Sequence, residues 1–143
     1  LNAEIINFYS ENQFELQDKE LYENWIKKVV ASEGKKTGEI SFIFCDDEYL
    51  LEINRKYLDH DTYTDIISFD NTLGKILQGD IFISTERVAE NAEAFEVNFE
   101  EELRRVLVHG ILHFAGYTDK TEEDKSLMRQ KEEEKMKMFH VEQ

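Results

Sequence analysis

Apolar positions recur along this chain in short blocks, and the period of each block predicts its element. Residues 4–9, Glu4 to Tyr9, read as a strand. Leu21, Tyr22, Trp25, Ile26, Val29 and Val30 then recur at three- and four-residue intervals, the stripe of an amphipathic helix. Asp18 is placed to cap that helix and Gly34 to stop it. Glu39 to Cys45, aromatic and β-branched, predicts a strand, and Asp46 and Asp47 can cap a helix running to about Tyr57. A polar turn over 59–64 leads to a short strand, Ile66 to Asp70, then a loop or hairpin around Gly74. Gly79 to Ser84 reads as a further strand, followed by a helix from Thr85 to Phe95. A capping-box pattern at Asn98 and Glu101 opens the most apolar helix, whose stripe is Leu103, Val106, Leu107, Ile111 and Phe114. Thr121 and Asp124 announce a last, heavily charged helix to about Phe139. Strands interleaved with helices predict an α/β (α+β) domain, with about four strands packed against five or so helices.

Composition adds bounds to this picture. The chain has 143 residues, a size that fits one domain spanning 1–143 with a core of its own. A 41% hydrophobic share argues for a folded protein. A single cysteine, Cys45, excludes an intramolecular disulfide and fits a reducing cytoplasm. Neither a signal-peptide pattern nor an apolar run of spanning length is present, so a membrane role is not expected. The net charge of −15 sits poorly with nucleic-acid binding, and basic residues cluster only as Lys27-Lys28, Lys35-Lys36, Arg55-Lys56 and Arg104-Arg105.

The chemistry concentrates in His109-Gly-Ile-Leu-His113-Phe-Ala-Gly116-Tyr-Thr-Asp119. Two histidines four apart on a helix are about 40° and about 6 Å apart, so both imidazoles leave one face. Gly116 can take positive φ, end the helix and turn the chain so that Asp119 reaches the same ion. Three protein ligands and an open position describe a catalytic zinc site, and Zn²⁺ is the expected ion. If Asp119 pointed away, water, Glu122 or Glu123 would have to replace it. The spacing also matches that of the zincin-like metal-site helix of metzincins, but those peptidases place Glu after the first His and this chain has Gly110.

The motif resembles H-G-x-L-H-x-x-G-Y-D-H of the YbeY-type bacterial rRNA maturation factors, which are single-strand-specific endoribonucleases. Thr64-Asp65-Ile66-Ile67-Ser68-Phe69 is similar to the family's T-D-V-L-S-F, Gly79-Asp80-Ile81 to its G-D-I, and Asn54 and Met128 also match. The resemblance covers residues 40 to 130 or so. It implies a metal-dependent endoribonuclease acting on ribosomal RNA, with a small-subunit ribosomal protein and an assembly GTPase as partners. This chain departs from the pattern at Asp119 and Thr118, where the family has His and Asp. It departs again at Leu58, where a substrate-contacting Arg is usual, and at Tyr63 in place of Pro; Arg55 is near but out of register.

Other residues carry weaker signals. Ser68 and Phe69 are candidate substrate contacts, with Phe69 able to stack a base or fill the core. Asp80 could orient a ligand histidine. His60 reads as a loop residue, His140 as inert and Cys45 as a small buried apolar side chain. The alternatives to a nuclease are an assembly factor of the same family with a mainly structural metal, and a metallohydrolase such as a peptidase lacking its Glu.

Overall fold

The computed structural model describes residues 4–58 and 64–139. Its sheet has the order β1-β2-β4-β3, built from β1 (Ile5–Ser10), β2 (Lys36–Cys45), β3 (Ile66–Asp70) and β4 (Ile76–Ser84). β1, β2 and β4 run parallel, and β3 lies antiparallel on the edge of β4. The helices are α1 (Lys19–Ser32), α2 (Asp47–Leu58), α3 (Thr85–Ala94), α4 (Phe99–Phe114) and α5 (Glu122–Met136). An α/β architecture with four strands and five helices is what the periodicity predicts.

Register assigns the two faces of the sheet. Phe42, Ile81 and Ser68 are paired across β2, β4 and β3 and so share a face, as do Phe44, Ile83 and Ile66 one step along. That face carries the main core, in which Trp25, Ile26, Val29 and Val30 of α1 meet Leu103, Leu107 and Ile111 of α4 over the strands. The opposite face holds a smaller cluster of Cys45, Leu50 and Ile67, with Ile53, Phe69 and Phe82 packed on it. Cys45 is fully buried there, and burial together with the charges of Asp46, Glu11 and Asp47 pushes its thiol up to about 12.

Several predicted boundaries move. β2 begins at Lys36 rather than Glu39, and β4 at Ile76 rather than Gly79, because the two parallel strands pair across Lys36–Ile76 and Thr37–Leu77 before a bulge. The expected 71–78 connection therefore shrinks to a turn around Gly74. α3 and α5 end at Ala94 and Met136, short of Phe95 and Phe139. Asp18 does not cap α1 with its side chain: it adopts a left-handed backbone at φ 57°, and its carbonyl accepts from Leu21 and Tyr22. Asp47 likewise spends its carboxylate elsewhere, on Ser84 Oγ at 2.6 Å and Arg87 at 2.9 Å. Asn98 and Thr121 do cap, accepting from Glu101 N at 2.8 Å and Asp124 N at 3.0 Å. His60, Tyr63 and His140 lie outside the described residues.

Candidate active site

α4 is the floor of the site. Its N-terminal part is locked into the core by Leu103, Val106 and Leu107, while His109, Gly110 and His113 emerge on the side that lines a cleft of about 570 Å³. Gly110 is buried where α4 packs closely on the sheet. A Cβ built there would stand 3.0 Å from Ile81 Cδ1 and 3.2 Å from Ile66 Cδ1. The helix ends in a Schellman motif: Tyr117 N donates to Leu112 O, Gly116 N donates to His113 O, and Gly116 has φ 110°. The predicted reversal is present.

Beyond it the chain is held on both sides. Tyr117 Oη donates to Glu33 Oε1 at 2.7 Å, and Thr118 Oγ1 donates to Asp124 Oδ2 at 2.7 Å. These bonds bring Asp119 back over α4, its Oδ2 3.6 Å from His109 Nε2. Two donors each about 2.1 Å from a tetrahedral ion lie about 3.4 Å apart, so this pair fits a shared cation. His113 is exposed at the cleft one turn further along α4. Among the described residues no three His, Cys, Asp or Glu side chains converge on one point.

The other nitrogen of His109 has a partner that its neighbourhood in sequence does not reveal. Nδ1 lies 2.7 Å from Glu132 Oε2 of α5; a carboxylate can only accept, which assigns a hydrogen to Nδ1, so that in the neutral ring the Nε2 lone pair faces Asp119. Glu132 is itself almost fully buried and receives Arg105 Nη1 at 3.1 Å on its other oxygen. Burial opposes a charge on His109, but the Glu132 hydrogen bond and charge, with Asp119 and Asp65 behind them, hold its pKa above the ordinary 6.5. Burial pushes the Asp65 and Glu102 carboxyls above their usual range; Glu132 adds to both, while Arg105 pulls Glu102 back and His109 and Arg87 pull Asp65 back.

The substrate-contact and orienting residues predicted from sequence divide. Ser68 lines the cleft, as the register of β3 requires. Phe69 does not: it points to the other face, edge-on to Phe82 and Tyr57. Asp80 pairs with Phe69 on that same far face and is exposed, away from His109, whose Nδ1 meets Glu132 instead. Leu58, at the end of α2, is 41% exposed and is not among the cleft-lining residues. Glu132, Glu102, Arg105, Arg129, Lys125 and Phe95 are lining residues that motif spacing missed, and Asp65 lay in a matched segment without a role assigned to it. Met128 and Glu132, an i, i+4 pair on α5, are the one periodic trace of them, and Met128 is buried against the cleft.

The model of the family described as Endoribonuclease YbeY matches residues 5–140. An Endoribonuclease YbeY of Christiangramia forsetii is 67% identical over 138 residues, covering 96% of each chain. Another, from Flavobacterium psychrophilum, is 58% identical over 139 residues, covering 97% of this chain and 99% of that protein. Among solved structures, a solution structure of a Thermotoga maritima protein superposes with a TM-score of 0.67 at 26% identity, covering 94% of this chain and 89% of the other.

Proposed function

The chain belongs to the Endoribonuclease YbeY family, and from that premise we propose that it cuts single-stranded ribosomal RNA at a zinc ion held by His109, His113 and Asp119. Endoribonuclease activity, a hydrolase reaction on RNA, follows from the family itself. The specific observation behind the metal assignment is the His109 ring, fixed at Nδ1 by Glu132 and offering Nε2 to the side where Asp119 stands. A buried carboxylate behind a histidine is the usual means of orienting a metal ligand and raising its basicity.

The charge lining the cleft supports the same reading. Asp65, Glu102, Asp119 and Glu132 face Arg105, Lys125 and Arg129, four acids against three bases, a formal −1. A divalent ion reverses that sign to +1 at the place where a phosphodiester must sit. When bound, such an ion polarises a phosphoryl oxygen and acidifies water. The protein supplies the rest. Glu132 keeps the His109 tautomer, Arg105 neutralises Glu132, and the Tyr117 and Thr118 hydrogen bonds fix the loop that carries Asp119. Gly110 offers no general base to a peptide, which sets the site apart from zinc peptidases. The same reading places the protein in the cytoplasm, working beside a small-subunit ribosomal protein and an assembly GTPase. No helix among the described residues is long and apolar enough to cross a membrane.

Elemental analysis of purified protein should give about one equivalent of zinc, and chelation should abolish cutting of a labelled single-stranded RNA. His113→Ala should lose the metal, and Glu132→Gln should weaken its binding roughly 10- to 100-fold while the fold is kept. Cutting that survives both chelation and His113→Ala would remove the metal from the mechanism.

A further inference from the structure

We propose that Phe95 and Arg129, with Lys125 beside it, form the frame that grips single-stranded RNA in this cleft, the aromatic ring stacking an unpaired base and the two cations meeting phosphates. This rests on the endoribonuclease reading of the cleft and deepens it. Recognition of single strands without a fixed sequence combines a cationic track with aromatic platforms, and the cleft holds both on different helices. Phe95 comes from the C-terminal end of α3, whereas Lys125 and Arg129 come from α5.

Phe95 stands out because it is a large aromatic side chain left 57% exposed at the cleft. Its backbone is held firmly. Phe95 N donates to Asn91 O, Glu96 N to Glu93 O and Val97 N to Ala92 O, with Glu96 in a left-handed turn at φ 57°. The ring therefore stands on a closed helix end, and little backbone freedom is lost when a base lies on it. Phe69, which the sequence left open between stacking a base and filling the core, packs on the far face of the sheet.

On α5, Lys125, Met128, Arg129 and Glu132 follow at i, i+3, i+4 and i+7, so they share one side of the helix. Met128 and Glu132 are buried and anchor that side to α4, which leaves the two cations at its rim. They stand about 6 Å apart along the helix axis. Arg129 has no ion-pair partner among the described residues, and Lys125 has only a loose one, Glu122 at 3.8 Å, itself almost fully exposed. In a chain of net charge −15, Arg129 and the loosely paired Lys125 put two cations at the rim of the cleft.

The test is binding of a fluorescent single-stranded oligoribonucleotide to the full chain, with zinc, across a series of salt concentrations. Phe95→Ala should weaken binding about tenfold or more without changing the salt slope, and Phe95→Trp should restore it. The double variant Lys125→Gln, Arg129→Gln should flatten the slope of log affinity against log salt by about 0.7 for each phosphate no longer neutralised. Arg129→Lys should retain most of that slope. If wild-type protein cuts the RNA but all the variants bind it with wild-type affinity and slope, the inference is overturned and the endoribonuclease reading stands. If wild-type protein neither binds nor cuts single-stranded RNA, the reading of the cleft falls, and this inference with it.

Discussion

α4 and α5 both line the cleft and both carry residues needed for it, yet they are held in the fold by different forces. α4 buries an apolar surface, with Leu103, Leu107, Ile111 and Leu112 at 1% exposure or less. The buried residues of α5 are Met128, Glu132 and Lys135. Two of these are charged, and each is matched: Glu132 by His109 and Arg105, Lys135 by Glu33 at 2.7 Å and Ser32 at 2.9 Å. Removing an apolar side chain costs transfer energy and a cavity. Removing one member of a buried polar pair instead leaves its partner desolvated, a cost that depends on pH. The floor of the site is thus packed, and its wall is wired.

The largest effect should come from the packed side. Ile111→Ala should cost about 2–5 kcal/mol, read as a fall in the denaturant midpoint with an unchanged slope. A loss under about 1 kcal/mol would show that α4 is not the centre of the core.

The wired side should respond less and differently. Burial alone would raise the Glu33 carboxyl, but hydrogen bonds from Lys135 and Tyr117 and the charges of Lys135 and Lys131 hold it below the usual 4.5. A depressed carboxyl contributes stability that is present in full above the unfolded value and is lost as pH falls through the folded one. Glu33→Gln should therefore cost about 1–3 kcal/mol at neutral pH. That difference from wild type should shrink steadily once the pH drops below 4.5. A difference independent of pH down to acid unfolding would mean that Glu33 acts through shape rather than charge.

The smallest effects should come from the helix starts, which the two helices treat alike. Asn98→Ala and Thr121→Ala should each cost about 1 kcal/mol, because both side chains accept from a backbone N–H. In the same thermal melts Asp18→Ala should cost up to about 1 kcal/mol for a different reason, its left-handed backbone at φ 57° rather than a cap bond, which its side chain does not make.

The same contrast explains what the sequence made legible. A helix buried by apolar residues writes its orientation into the 3.6-residue period, and α4 with its motif was readable down to the Gly116 reversal. α5 hides its inward side in a run of Glu and Lys, where Glu132 and Lys135 look like their exposed neighbours Glu133 and Glu134. Only the partners, 23 and more than 100 residues away, distinguish them. Lys125 and Arg129 escaped for a related reason: cations that share a helix side are four apart in sequence and never form a visible cluster. The start of β2 was obscured by Lys36 and Gly38. There the Gly38 backbone lies so close to β4 that a Cβ would stand 2.8 Å from the Gln78 and Ile76 side chains. Phe69 was ambiguous because a single strand residue can face either way until its register is known.

Gly110 closes off an evolutionary route. The residue after the first histidine is where zinc peptidases keep their base, and a single codon change turns a glycine into a carboxylate. Here a Cβ would stand 3.0 Å from Ile81 Cδ1 and 3.2 Å from Ile66 Cδ1, so any side chain requires those two isoleucines to give way beneath α4. A lineage that settled on this close approach could gain a peptidase base only by repacking those two side chains beneath it. The chemistry open to its descendants was narrowed by packing before any substrate was involved.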